Sequence, residues 1–197
     1  DVQYTRRDWR NRNLIKTARG LQWLTIPVQT RGQFEQRICD VEVSDPAWGR
    51  QHWETLRRNY AKTPFFELYR ERLEPLYLDE SLRSLSQINH RFLAVICEML
   101  GIRTPIRWSS DYQLTEGRTE RLVDLCRQAG ATRYLSGPSA NAYLDEALFA
   151  AAGIDVVYMD YTGYPEYPQS HPPFEHRVTV LDLLFHTGPE APRYLQD

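Results

Sequence analysis

Apolar and polar positions alternate between two periods along this chain. Residues 21–28 (Leu-Gln-Trp-Leu-Thr-Ile-Pro-Val) partly alternate: Leu21, Trp23 and Thr25 share one side, and Leu24, Ile26 and Val28 the other. Pro27 marks this segment as an edge strand. After a polar loop, residues 38–43 read as a half-exposed strand that would pair with the first. Helical periods follow. Asp45-Pro46 reads as a helix start, with Trp48, Gln51, Leu56 and Tyr60 continuing it to about residue 62. Residues 66–78 carry Phe66, Tyr69, Leu73 and Leu76 at helical spacing, with Pro75 expected to kink or shorten the run. Residues 81–100 hold the clearest amphipathic stripe (Leu82, Leu85, Ile88, Phe92, Val95, Ile96, Leu100), closed by Gly101.

Strand and helix then alternate. Strands are predicted at 106–110, 131–135 and 154–161, and helices at 118–129 and 145–152, with Gly130 and Gly153 in the turns. That order predicts parallel βαβ units. The fold expected is α/β: a mostly parallel Rossmann-like sheet with helices on both faces and an inserted helical segment. Residues 162–174 are rich in Tyr and Pro and predict a loop covering a pocket. A last helix is expected over 178–185, capped by Thr179.

The chain has 197 residues, 42% hydrophobic and 25% charged, ordinary for one soluble domain. A net charge of -2 argues against nucleic acid as a general partner. Cys39, Cys97 and Cys126 are odd in number and widely spaced, which predicts thiols in a reducing compartment, the cytoplasm. No apolar run approaches the roughly 18 residues that a membrane span needs, and the opening does not read as a secretory leader.

Two stretches carry candidate chemistry. Between Arg6 and Arg19 lie six basic residues with Trp9 interleaved, read as a cationic loop. Arg6, Arg10 and Arg12 offer forked donors that match phosphate or carboxylate oxygens, and Asn11 and Asn13 add neutral donors and acceptors. A solvated basic loop is the competing reading. The second stretch runs from Tyr134 to Tyr161. There Ser136 and Gly137 sit at a strand's carboxyl end, where open α/β sheets place ligands, and the helix after them offers N–H groups to an anion. A tight connection without a ligand fits equally well. Ser109 and Ser110 end another predicted strand and join the candidate pocket. His171 and His176 are candidate bases, since imidazole titrates near neutral pH; surface or structural roles compete. Their spacing does not make a zinc helix, and no metal is expected. No Gly-x-Ser-x-Gly elbow, Walker loop or Gly-x-Gly-x-x-Gly occurs. No cofactor is indicated.

Several motifs in order resemble the WbqC-like protein family, found among bacterial O-antigen and other surface-polysaccharide gene clusters. They are Asp1-Val-Gln-Tyr with Trp9-Arg-Asn-Arg-Asn13, Trp23-Leu-Thr-Ile-Pro-Val28, Ser136-Gly-Pro-Ser-Ala with Tyr143-Leu-Asp, and Val180-Leu-Asp-Leu-Leu-Phe with Gly188-Pro-Glu-Ala191. The resemblance implies one domain over residues 1–197. It also implies native residues upstream, roughly thirty of them, bearing a Gln-Pro-x-Tyr-x-Pro-Trp segment that does not occur here. Its functional implication is a transferase moving an acyl, aminoacyl or glycyl group onto an amino sugar, with a nucleotide sugar as a candidate small-molecule substrate. Two alternatives remain open: a non-catalytic module that binds a nucleotide sugar or partner enzyme, and a nucleotidyl-transferring or adenylate-forming enzyme. The oligomeric state is not indicated. The reading rests on one expectation: the cationic opening loop and the Ser136-Gly137 corner meet in a single cleft.

Overall fold

The computed structural model describes residues 3–5, 9–30, 32 and 35–195. The chain is a mixed α/β protein in two compact units, one of Asp1–Thr104 with Tyr164–Asp197 and one of Pro105–Gly163. No helix among the described residues is long and apolar enough to cross a membrane.

The first unit opens with an antiparallel hairpin, β1 (Arg12–Thr17) and β2 (Gly20–Thr25), in a register that sets Leu14 opposite Trp23. Gly20 closes the turn at φ +103°, in the left-handed region that glycine tolerates. The partner of β2 is therefore not residues 38–43. That segment keeps only two isolated bridges, Val28 with Val43 and Glu42 with Ser84. Strand β1 was hidden because its run Arg-Asn-Leu-Ile-Lys-Thr has adjacent apolar residues and no alternation.

Three helices follow: α1 (Trp48–Tyr60), α2 (Phe66–Leu78) and α3 (Leu85–Met99). The Asp45 side chain accepts the Ala47 N–H at 2.9 Å and so caps the first turn before α1. The buried stripe of α1 is Gly49, Trp53, Leu56 and Tyr60, whereas Gln51 is exposed. Trp53 lies between Phe66 and Tyr77, each 5.6 Å away and near-parallel. Pro75 sits inside α2 without ending it. The backbone bond it removes belongs to Glu71, and both residues lie on the exposed side, where the carbonyl is open to solvent. Ser84 caps α3 through Gln87 N–H, and Gly101 ends it at φ +72°. The chain returns for α6 (Val180–Thr187), capped by Thr179, and Gly188 stops that helix at φ +58°. Phe185 joins the core at 5.1 Å from Phe66 and 5.3 Å from Tyr60.

The second unit holds α4 (Thr119–Gln128), β3 (Arg133–Ser136), α5 (Glu146–Ala151) and β4 (Asp155–Tyr158). Strands β3 and β4 pair in parallel, Arg133 with Asp155 through Ser136 with Tyr158, and make one βαβ unit. Val123, Cys126, Phe149 and Ile154 form its core, with Tyr134 stacked on Phe149 at 5.0 Å. Leu135 and Val157, on the other face, are exposed. The wide Rossmann-like sheet with helices on both faces is not found: the described residues hold two two-stranded sheets. Residues 106–108 form no strand, and Ser109–Asp111 is a short 3-10 turn. After Ser136 comes a five-residue 3-10 turn, Pro138–Ala142, too short for the anion-binding helix start that was expected.

Helices α1 and α2 meet at Gly49. A Cβ there would lie 1.8 Å from the Tyr77 carbonyl oxygen and 2.9 Å from its carbon. Gly49→Ala must separate the helices, at about 3 kcal/mol. Thermal melting should fall by roughly 10 °C; an unchanged melting temperature would disprove this contact.

Candidate functional site

Where α3 faces the hairpin, its apolar stripe is only half covered. Phe92 and Ile96 from α3, Ile15 and Leu24 from the hairpin, and Trp48 and Leu56 from α1 floor a cleft of about 190 Å³. Its lip is the segment Trp9–Asn13. That segment is built in. Asn11 sits in a 3-10 turn, Trp9–Asn11, and is only 6% exposed. Its backbone carbonyl accepts Ile26 N–H at 2.8 Å, and its Nδ2 donates to Ile26 carbonyl at 2.8 Å. Asn89 of α3 donates to the Arg10 carbonyl at 2.9 Å. Asn11 Oδ1 is buried with no hydrogen-bond partner among the described residues. The Arg12 guanidinium lies 4.1 Å over the Trp23 ring, and Arg10 lies 5.3 Å from Trp9. His52 also lines the cleft, with Nε2 at 3.1 Å from the Thr25 carbonyl. A carbonyl only accepts, so Nε2 carries the proton and Nδ1 a lone pair. Burial pushes His52 down to about 4, against the help of that hydrogen bond.

A second cluster surrounds Asp182 of α6, which is fully buried. Tyr60 OH donates to its Oδ2 at 2.8 Å. Tyr167 OH at 2.9 Å, Gln169 Nε2 at 3.1 Å and His186 Nδ1 at 3.4 Å surround Oδ1. Burial alone would raise the Asp182 carboxyl, but hydrogen bonds from His186 and Tyr60 outweigh it and hold it below the ordinary carboxylate range. Burial likewise opposes charge on His186, and its contacts with Asp182 prevail, so its pKa is raised. Lys16 Nζ donates to Gln169 Oε1 at 2.6 Å and to the Pro173 carbonyl.

The profile of the WbqC-like protein family matches residues 1–194. The chain belongs to the WbqC-like family. This WbqC-like protein is 49% identical over 196 residues to the Uncharacterized protein Rv1507c of Mycobacterium tuberculosis, an alignment covering 100% of this chain and 85% of that relative. No solved structure matches it.

The family motif around residues 9–13 thus coincides with the cleft lip, which gathers Arg10, Asn11, Arg12 and Asn13. The lip runs on into strand β1. Asn13 is exposed and its Oδ1 accepts the N–H of Leu14 at 2.8 Å. Arg6 lies outside the described residues. Ser109, Ser110, Ser136 and Gly137 belong to the second unit, and the lip to the first. His171 lines a small pocket with Ser170, Asp182 and His186. His176 is exposed, its ring edge-on to Phe174 at 4.6 Å. Sequence reasoning missed His52, His186, Lys16 and Tyr60. One readable signal existed: Asp182 and His186 are four residues apart within a helical run, and so share a face.

Tyr60→Phe removes a donor from Asp182 and the acceptor of the buried Lys16 N–H, which lies at 3.0 Å. A loss of about 2–3 kcal/mol is expected in urea unfolding; a loss below about 0.5 kcal/mol would show the network to be slack.

His52 has a folded pKa below its ordinary value of 6.5. The unfolded chain therefore binds the extra proton first, and stability falls as pH drops from 6.5 towards 4. The loss is on the order of 1–2 kcal/mol once partial exposure is allowed for. His52→Gln, which keeps an N–H for Thr25, should lose less stability over that window. Parallel curves for the two proteins would refute the assignment.

Proposed function

We propose that this WbqC-like protein is a transferase of bacterial surface-polysaccharide synthesis. In this reading its cleft holds an activated amino sugar during acyl, aminoacyl or glycyl transfer. The observation that carries the reading is Asn11, a lip residue whose buried Oδ1 has no donor among the described residues. Leaving such an acceptor unmatched costs about 1–3 kcal/mol, which a ligand N–H or O–H would recover if the lip shifts to uncover it. The amino group of an amino sugar supplies such a donor. The neighbouring Arg10 and Arg12 suit the phosphates of a nucleotide sugar, and the apolar floor of Phe92, Ile96 and Trp48 suits a ring face. Neither candidate base lines the cleft: His171 lines a separate pocket with Ser170 and His186, and His176 is exposed. The cytoplasm, where activated sugars would be met, is the compartment proposed, in keeping with three cysteines not joined to one another.

One observation favours a second reading, a binding module without turnover. His52 is the histidine that lines the cleft, and burial keeps it neutral and weakly basic.

Thermal shift against UDP-amino sugars, the matching UDP-hexoses and glycine tests the cleft. A ligand at 100 times its dissociation constant adds about 2.7 kcal/mol, or roughly 5–10 °C at this chain length. A UDP-amino sugar should give the larger shift, and Arg12→Gln should weaken it at least ten-fold. If no UDP sugar raises the melting temperature, the reading fails. Binding without product in any acyl-donor assay would favour the module.

A further inference from the structure

The Asp182 cluster ends at a hydroxyl. Ser170 is exposed, and its Oγ lies 2.7 Å from His186 Nε2. The Ser170 backbone N–H points at the same nitrogen from 3.1 Å, so Nε2 presents a lone pair. His186 Nδ1 is 2.7 Å from the Asp182 backbone carbonyl, which can only accept, so the ring proton sits on Nδ1. The Asp182 carboxylate lies 3.4 Å behind the same nitrogen. Hydroxyl, lone-pair nitrogen and buried carboxylate thus stand in the order that activates a serine.

We propose that Ser170 is an acyl-accepting nucleophile, with His186 as its base and Asp182 as the residue that positions His186, acting on an activated carboxylic ester or thioester. The pocket behind Ser170 encloses no room for a ligand, so the substrate carbonyl approaches from the solvent side. As Oγ bonds to the acyl carbon, its proton passes to Nε2. The bond to the leaving group breaks, and the leaving thiol or alcohol departs with that proton. Water then attacks the acyl-serine and gives a proton to Nε2. The carboxylic acid leaves as that proton returns to Oγ. The raised pKa of His186 suits it to hold the proton between these steps.

This site stands apart from the cleft. Ile15 lines the cleft and Lys16 the pocket at Ser170, on opposite sides of β1, and the two cavities share no lining residue. Failure of either proposal leaves the other standing.

A fluorophosphonate probe tests the serine. Its phosphorus bonds to an activated Oγ, and fluoride leaves with the proton. The full chain should gain one probe mass, located at Ser170 by peptide mass spectrometry. Ser170→Ala, a change at an exposed position, should melt as the wild type and take no probe. His186→Gln should label at least 100-fold more slowly. A folded wild type with no adduct at Ser170 overturns the proposal, as does an unchanged rate in folded His186→Gln. If His186→Gln does not fold, Ser170→Cys decides. Alkylation by iodoacetamide at pH 6 at least ten-fold faster than free cysteine supports the proposal, and an equal rate overturns it.

Discussion

Asp182 carries a carboxylate into the interior of the first unit, and side-chain donors replace the water it gives up. The four donors come from three places. Tyr60 comes from the end of α1, Tyr167 and Gln169 from the proline-rich return segment, and His186 from the next turn of α6. The bonds continue outward. Tyr60 OH accepts the backbone N–H of Lys16 in β1, and Gln169 Oε1 accepts both Lys16 Nζ and the Glu175 N–H. One buried charge therefore holds a strand, two helices and a segment without regular structure in register. The return segment is ordered by polar bonds that converge on the carboxylate, which explains how a run so rich in proline keeps one path.

The same arrangement determines where the cleft lies. Thr179 donates its N–H to the Leu14 carbonyl at 2.8 Å and pins the start of α6 to β1. Alternation along β1 then turns Ile15 to the cleft and Lys16 to the network, while Leu181 and Asp182 divide between them on α6. Asn11 is held as firmly, by paired bonds with Ile26. Its side chain is held in one orientation by these bonds.

Helices were legible because their signals are local. The stripe at 85, 88, 92 and 96 and the cap at Thr179 lie within a turn or two of what they specify. The run Trp9-Arg-Asn-Arg-Asn13 stood out by composition and does line the cleft. Sheet width was not legible. Residues 106–110 carry a strand-like run, but pairing depends on a distant partner, and Ile106 and Trp108 remain exposed. Strand β1 went unseen because Leu14 and Ile15 are adjacent, and one is buried by distant α-helical contacts that no local period records. The Ser170–His186 contact spans sixteen residues across an irregular segment. Only the Asp182–His186 half of it had a sequence signature.

Two imidazoles in this unit are driven apart by their surroundings. His52 meets Trp48 edge-on at 5.2 Å, and among the groups acting on it burial comes first, with no carboxylate to repay it, so it stays neutral through the physiological range. His186 is buried too, but Asp182 stands behind it and reverses the sign. Opposite shifts of like groups are how one fold separates holding from proton transfer. The cleft presents an apolar floor with Arg10 and Arg12 at its lip. The carboxylate-backed imidazole carries a hydroxyl at its outer nitrogen. A well-packed apolar cluster would stabilise the interior as well as this buried charge does. Stability alone therefore does not account for the carboxylate; the register it sets among β1, α1, α6 and the return segment does.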